Sequence, residues 1–348
     1  MAKQNVFRQR TRAVAREGPF LVAGKENMLY LSGTEAATYM LVPLDGDPIL
    51  LVPRLEGDRV RAESWVADIR EYQDGEVALR RGEKCIFLSS IDALTGILRE
   101  MGTTTIRFDS LSEKTFAQLS CFGPARSNLL EEMRQVKSRE EIEMIARARR
   151  LVGDAYLEVS SNLGGTPTEL DLAGRIYSAI ASRGANCAFE PIVAFGARSA
   201  FPHSTPSTRR LSASSPVLMD LGARVRGYCS DITRTMPRGR PRAERTLELV
   251  RSTLCHVVDH LEPGMPVSQA DLLARKFVGK EAAFFTHRLG HGIGLAVHEA
   301  PSLSATSKEV LKDGTVFTVE PGLYYAGRYG VRWEEDVFCW NGRFRVLG

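Results

Sequence analysis

The chain has 348 residues, 43% of them apolar and 25% charged, with a formal net charge of +4. At roughly 150 residues per domain this length predicts two domains, and the apolar share excludes disorder, collagen and coiled coil for the chain as a whole. No apolar stretch approaches the roughly 20 residues of a membrane-spanning helix, and the mixed charge gives no footprint for nucleic acid or an anionic membrane.

The chain opens with Lys3, Arg8, Arg10, Arg12 and Arg16 and no acid before Glu17. These read as the basic face of a first helix, because the serines of a transit peptide and the apolar core of a signal peptide are both missing. The six cysteines, at 85, 121, 187, 229, 255 and 339, show no paired spacing, which predicts free thiols and a cytoplasmic chain. Strands are expected at 20–23, 28–32, 38–42, 49–52, 86–89 and 105–109, with Asp45-Gly46-Asp47-Pro48 turning a hairpin. A helix is expected at 91–101, where Leu94, Ile97 and Leu98 share a face. Residues 1–128 thus form a small α/β domain that contains no histidine, no glycine-rich phosphate loop and no acid cluster.

The second domain, 129–348, begins with a capping box, Ser138-Arg-Glu-Glu141, opening a helix to about residue 161 with Ile142, Ile145, Ala146 and Val152 on its buried side. Gly164-Gly165 ends it. Thr166-Pro167-Thr168-Glu169 starts another, with Thr166 as N-cap and proline at the first helical position. Further helices near 243–261 and 268–278 alternate with strand hairpins, so this domain is α+β.

Every chemically suggestive cluster falls in this second domain. Asp220 lies in an expected strand 217–221 and Asp231 in an expected strand 227–235, joined by a hairpin around 223–226 that would set the two acids on facing strands. Such a pair repels unless a cation or a shared proton lies between. His287, His291 and His298 follow in a segment broken by glycines at 290, 292 and 294, which permit close backbone approach. An apolar strand at 315–319 runs into Glu320, an acid that needs a partner if it is buried. Glu334 sits in an expected strand whose alternation places Arg332, Glu334 and Asp336 on one face. Four carboxylates and one imidazole suit a pair of divalent cations, Mn²⁺ or Co²⁺ first, with Fe²⁺ or Zn²⁺ as alternatives. Two ions about 3.5–4 Å apart can share a hydroxide and polarise a carbonyl, which points to hydrolysis.

Five segments carry a resemblance: Phe201-Pro-His203, Asp220 to Asp231-Ile-Thr-Arg-Thr235, His287 to His298, Val319-Glu-Pro-Gly-Leu-Tyr324 and Gly330 to Val337. In this order they resemble the pita-bread metallopeptidases, the group of aminopeptidase P, prolidase, methionine aminopeptidase and creatinase. The fold class implied is α+β, a small N-terminal α/β domain followed by a pita-bread catalytic domain. The resemblance implies that Asp220 binds one ion, His291 and Glu320 the other, and that Asp231 and Glu334 bridge both. A metal-bridging hydroxide would be the nucleophile, with Glu320 or a neighbouring group as its proton acceptor. His203 and His298 would line the substrate side, and His287 and Thr233 would stand near the metals without ligating them. Arg332 would hold a substrate carboxylate or orient an acid, and Phe189, Tyr228 and Val297 would wall the pocket. The full ligand set argues against creatinase-like and purely binding relatives. The Glu-Pro-Gly-Leu-Tyr and Gly-Val-Arg-x-Glu patterns, with the N-terminal domain, favour Xaa-Pro bonds over an N-terminal methionine. The expected protein is a homodimeric proline dipeptidase that takes proline-containing peptides, and aminopeptidase P, acting on longer peptides, is the alternative.

Overall fold

The apolar runs Phe20–Val22, Tyr39–Val42 and Ile49–Pro53 are buried almost throughout and pair side by side as strands. They form the middle of a six-stranded sheet in the order Asp68–Tyr72, Ile49–Pro53, Tyr39–Val42, Phe20–Val22, Ile106–Phe108, Pro124–Arg126. The computed structural model describes residues 2–348, with side chains from residue 5, so the side chain of Lys3 lies outside the described residues. The chain divides into two units between Met133 and Arg134, inside the helix Leu129–Gln135 and later than the expected boundary after residue 128.

In the first unit the helix Ser90–Glu100 lays Ala93, Leu94, Ile97 and Leu98 onto the sheet, its first turn capped by Ser89. Two expected strands are replaced. Residues 28–32 belong to the helix Lys25–Ser32, because the carboxylate of Asp109 accepts hydrogen bonds from Ala23 N (2.9 Å), Gly24 N (3.1 Å) and Asn27 Nδ2 (2.8 Å) at that helix's start. A cap supplied from 85 residues downstream leaves no local signal. In the run 86–89 only Ile86 makes a β-bridge, to Tyr72, since Ser89 is already committed to the helix behind it.

The second unit contains two successive halves, each a helix pair on an antiparallel sheet. Arg139–Ser161 and Glu169–Ser182 cover the strands Ile192–Phe195, Val217–Leu221 and Ile232–Met236, with Val152, Ile176, Phe195 and Met219 in the shared core. Pro241–Asp259 and Val267–Val278 cover a sheet ordered Glu299–Leu303, Gly290–Gly292, Val316–Val319, Glu335–Trp340, Arg343–Val346, with Val250, Ala274, Phe317 and Val337 between. Burying the valine, isoleucine, methionine and phenylalanine side chains among these contributes about 1.5–3 kcal/mol each. Among the described residues no helix is long and apolar enough to cross a membrane.

The Ser138 capping box forms as expected. The next helix starts later than expected: its N-cap is Thr168, which forms a second capping box with Asp171, while Thr166 lies outside at φ +50°. The reciprocal Thr168–Asp171 bonds satisfy two helix-end donors, whereas Glu169, the acid three residues after Thr166, is taken by Phe195 N (2.8 Å), Ser207 N (3.0 Å) and Arg198 Nε (3.0 Å).

Two expected long strands are each broken. The run 227–235 becomes Tyr228–Cys229 and Ile232–Met236, and the run through Glu334 becomes Tyr329–Arg332 and Glu335–Trp340, with the pieces in different sheets. The breaks have a polar cause. The backbone N of Asp231 donates to Asp336 Oδ2 (3.2 Å), and the carbonyl of Glu334 accepts from Arg234 Nη1 (2.5 Å), so both groups leave the ladders for side chains. Asp220 therefore stands opposite Thr233, not opposite Asp231, and Arg332 and Asp336 do not share one strand face with Glu334.

The relocated cap gives a test. Thr168→Ala is expected to lower stability by about 1 kcal/mol, while Thr166→Gly, at a left-handed position, is expected to leave it unchanged or raise it. Denaturant unfolding of both variants checks this, and equal losses would contradict the assignment.

Candidate metal centre

Asp231 and Glu334 sit at the two sheet-switching breaks, and His291 sits at a bulge where the pairing of Gly290–Gly292 with Glu299–Leu303 slips. Irregular backbone of this kind re-aims a side chain out of the ordinary alternation. The three point at one another, and one ligand atom from each lies within 4.8 Å of the other two. His291 Nε2 is also 3.6 Å from Glu320 Oε1 and 3.9 Å from Asp231 Oδ2. Glu320 follows directly on the buried strand Val316–Val319. Asp220 joins through its neighbours: Arg332 Nη2 lies 2.6 Å from its Oδ2, Arg332 Nε donates to Thr233 Oγ1 (2.8 Å), and Thr233 Oγ1 donates to Glu334 Oε2 (2.7 Å). Asp231, His291 and Glu334 are thus brought together, with Glu320 beside His291 and Asp220 tied in through Arg332 and Thr233.

The histidine is prepared to act as a ligand. Its backbone N is held by Thr318 Oγ1 (3.1 Å), and its Nδ1 lies 3.2 Å from the carbonyl of Gly292. A proton on Nδ1 leaves the Nε2 lone pair facing the carboxylates. Burial, then the neighbouring His298, lowers its pKa to about 3, so the ring is neutral.

The carboxylates are crowded and dry. Burial raises Asp231 and Glu334 well above the ordinary carboxylate range, and the repulsion of neighbouring acids adds to it. Burial pushes Glu320 up to about 8 against the pull of Arg332, and Asp336 up to about 7. Asp220 Oδ1 and Asp231 Oδ1 are buried with no hydrogen-bond partner. Orphaned carboxylate oxygens beside a neutral imidazole are the donor set of a hard-to-borderline divalent cation, so the residues fit such an ion.

Around this centre Arg332 is saturated by protein: besides Asp220 and Thr233 it donates through Nη1 to Tyr324 OH (2.8 Å) and the carbonyl of Pro202 (3.3 Å). Tyr324 OH lies 2.9 Å from His287 Nε2, and His287 Nδ1 lies 2.7 Å from the carbonyl of Arg288. Burial lowers the pKa of His287 to about 3, so its ring is neutral, and both of its nitrogens face protein partners, Tyr324 and the carbonyl of Arg288. His298 is exposed, its ring edge-on to His291 with centroids 4.2 Å apart. His203 is exposed on the loop that Arg332 holds through Pro202. Phe189 packs over Gly222, two residues beyond Asp220, where a Cβ would meet its ring at 2.4 Å. Two expected pocket walls, Tyr228 and Val297, pack on a small core that includes Ile142, Ile145 and Ile293. Tyr228 OH donates to Glu141 Oε1 (2.8 Å).

The sequence pattern gave no role to Tyr324 and none to Asp336, whose carboxylate accepts from the backbone of Asp231. The signal for Tyr324 was present in Gly322 and Gly330. A Cβ on either would lie 2.5 Å and 2.6 Å from the tyrosine, so the two glycines clear the space the ring fills.

Residues 143–340 match metallopeptidase family M24, and residues 18–136 match the creatinase/prolidase N-terminal domain. An uncharacterized peptidase of Staphylococcus aureus (strain bovine RF122 / ET3-1) is 32% identical over 332 residues, 92% of either chain. Among solved structures, the Xaa-Pro dipeptidase from Bacillus anthracis aligns with a TM-score of 0.86 at 25% identity over 97% of both chains. The X-Pro aminopeptidase from Thermotoga maritima aligns at 0.84 and 28% identity, again over 97% of both.

The raised carboxylate pKa values set the sign of a pH effect. Glu320 near 8 and Asp336 near 7 bind protons in the folded state that the unfolded chain has released, so the metal-free protein is expected to lose stability as pH rises from about 4 to 8. Thermal melts in chelator check this. Added Mn²⁺ is expected to raise the melting temperature most at the alkaline end, by the equivalent of about 2.7 kcal/mol at a hundred times Kd. Glu334→Gln is expected to melt higher than wild type without metal and to lose the Mn²⁺-dependent gain.

Proposed function

The chain belongs to metallopeptidase family M24, with a pita-bread catalytic fold, and on that premise we propose that it hydrolyses the Xaa-Pro bond of dipeptides with two divalent ions held by Asp220, Asp231, His291, Glu320 and Glu334. The observation that carries this reading is the convergence of these five side chains with two buried carboxylate oxygens left unpartnered. Mn²⁺ or Co²⁺ suits a set of oxygens with one nitrogen. Bound ions of this kind polarise the scissile carbonyl and lower the pKa of water.

The remaining work falls to protein groups. Arg332 has a protein partner at each of its three nitrogens, so its role is to orient Asp220 and, through Thr233, Glu334. Neither acid can then turn away from the centre. Glu320, buried at the end of its strand, accepts the proton released by the attacking water and passes one to the leaving proline nitrogen. That nitrogen carries no hydrogen in a tertiary amide, so it departs only when protonated. His298, beside His291 and open to solvent, donates to the developing oxyanion. His203, on the loop anchored to Arg332, meets the free carboxylate of the dipeptide. The likeness to an enzyme named X-Pro aminopeptidase supports a second reading, in which longer peptides are taken.

Proline release from Ala-Pro and Met-Pro, set against an Xaa-Pro-Xaa tripeptide, tests the reading. Mn²⁺-dependent dipeptide turnover is expected, abolished in Asp231→Ala and lowered about 10–100-fold in Arg332→Lys. Tripeptide turnover without dipeptide turnover would replace dipeptidase by aminopeptidase, and full activity in Asp220→Ala would end the metal mechanism.

A further inference from the structure

The second unit holds a buried ion triad that the metal centre does not use. Lys137 Nζ lies 2.7 Å from Glu299 Oε1, and Arg134 Nη2 contacts Glu299 Oε2. The Lys137 side chain is 1% exposed and those of Arg134 and Glu299 are 9% exposed. Removing three charges from water costs several kcal/mol per ion, and packed apolar residues would stabilise the fold as well or better, so the triad calls for a reason in its position.

Glu299 immediately follows His298 and begins the strand Glu299–Leu303, where it pairs with Gly292, the neighbour of His291. Its carboxylate turns back into the loop 294–298. Oε2 accepts from the backbone N of Ala296 (3.4 Å), and a Cβ added to Gly294 would lie 2.4 Å from Oε1. The same loop is tied by Gly294 N to the carbonyl of Ala296 (3.1 Å) and by Cys229 N to the carbonyl of Gly294 (2.7 Å). Burial alone would push the Glu299 carboxyl up, but the charges of Lys137 and Arg134 prevail and hold it below the ordinary range.

We propose that Glu299, clamped by Lys137 and Arg134, is a positioning residue whose carboxylate fills the loop 294–298 and thereby aims His298 at the edge of His291. A carboxylate pinned by two buried cations has one orientation, and a loop built around it inherits that orientation. Gly294 is the complement of the device, since only a residue without Cβ leaves the carboxylate its place. The consequence for catalysis rests on the reading above, in which His298 faces the substrate.

Two measurements on the full chain separate the two ideas. The first is the ¹H–¹³C ring signal of His298 in protein without added metal, assigned by its loss in His298→Ala. In Glu299→Gln this signal is expected to move as the ring leaves His291, while those of the distant His256 and His260 stay. The second is Ala-Pro turnover with Mn²⁺: kcat is expected to fall about 10–100-fold with KM within about threefold, as for a misplaced catalytic group. Lys137→Met, which keeps the carboxylate, is expected to show a smaller change of the same kind and serves if Glu299→Gln does not fold. An unmoved His298 signal in a folded variant overturns the proposal, whether or not activity falls. A moved signal with unchanged kcat, joined by full activity in His298→Ala, supports the positioning and instead removes His298 from the catalytic reading.

Discussion

Mutual repulsion among buried carboxylates governs the second unit. Asp220, Asp231, Glu320 and Glu334 approach one another beside the guanidinium of Arg332, which pairs directly with Asp220, and Asp336 adds its charge next to Asp231. Such a group is costly to assemble, and the surrounding structure has to impose it. The means are visible in the backbone. Asp231 gives its N–H to Asp336, Glu334 gives its carbonyl to Arg234, and Arg234 is in turn held with Arg149 on Glu335. These polar contacts break two strands at the points where ligands are wanted, and they keep both breaks satisfied.

The ligands come from both helix-and-sheet halves. Asp220 lies in a strand of the first and Asp231 at the break before another, His291 lies in the sheet of the second with Glu320 just after one of its strands, and Glu334 lies in the link between two sheets. Each half has its own apolar core, so each can be ordered by burial alone. The centre then forms where the two meet, beside a third apolar cluster in which Ile142 and Ile145 of the first half pack with Ile293 and Val316 of the second.

Much of this was legible in the residues. Helix starts with local caps, such as Ser138–Glu141, and hairpins with local turns could be read directly, because their causes lie within a few positions. The acids and histidines of the centre could be read as a set because no ordinary core accommodates so many. Their positions on the backbone could not. Period-two alternation assumes an unbroken strand, whereas Asp231 and Glu334 occupy the interruptions. The helix Lys25–Ser32 depended on Asp109 from a distant strand end, and Tyr228 was drawn to Glu141 from the other end of a fold that spacing cannot measure.

Tyr324 carries one further consequence. Arg332 has donors only, so the tyrosine oxygen must accept from it and must turn its own hydrogen the other way, toward His287. Burial raises the phenol to about 12, so that hydrogen stays in place, and His287 is obliged to offer Nε2 as acceptor and direct Nδ1–H to the carbonyl of Arg288. The wire from Asp220 to Arg288 therefore has a polarity, fixed by the single member that cannot accept. A lysine at position 332 would keep the charge and the donor-only character but, with one nitrogen in place of three, could not hold every branch of it at once.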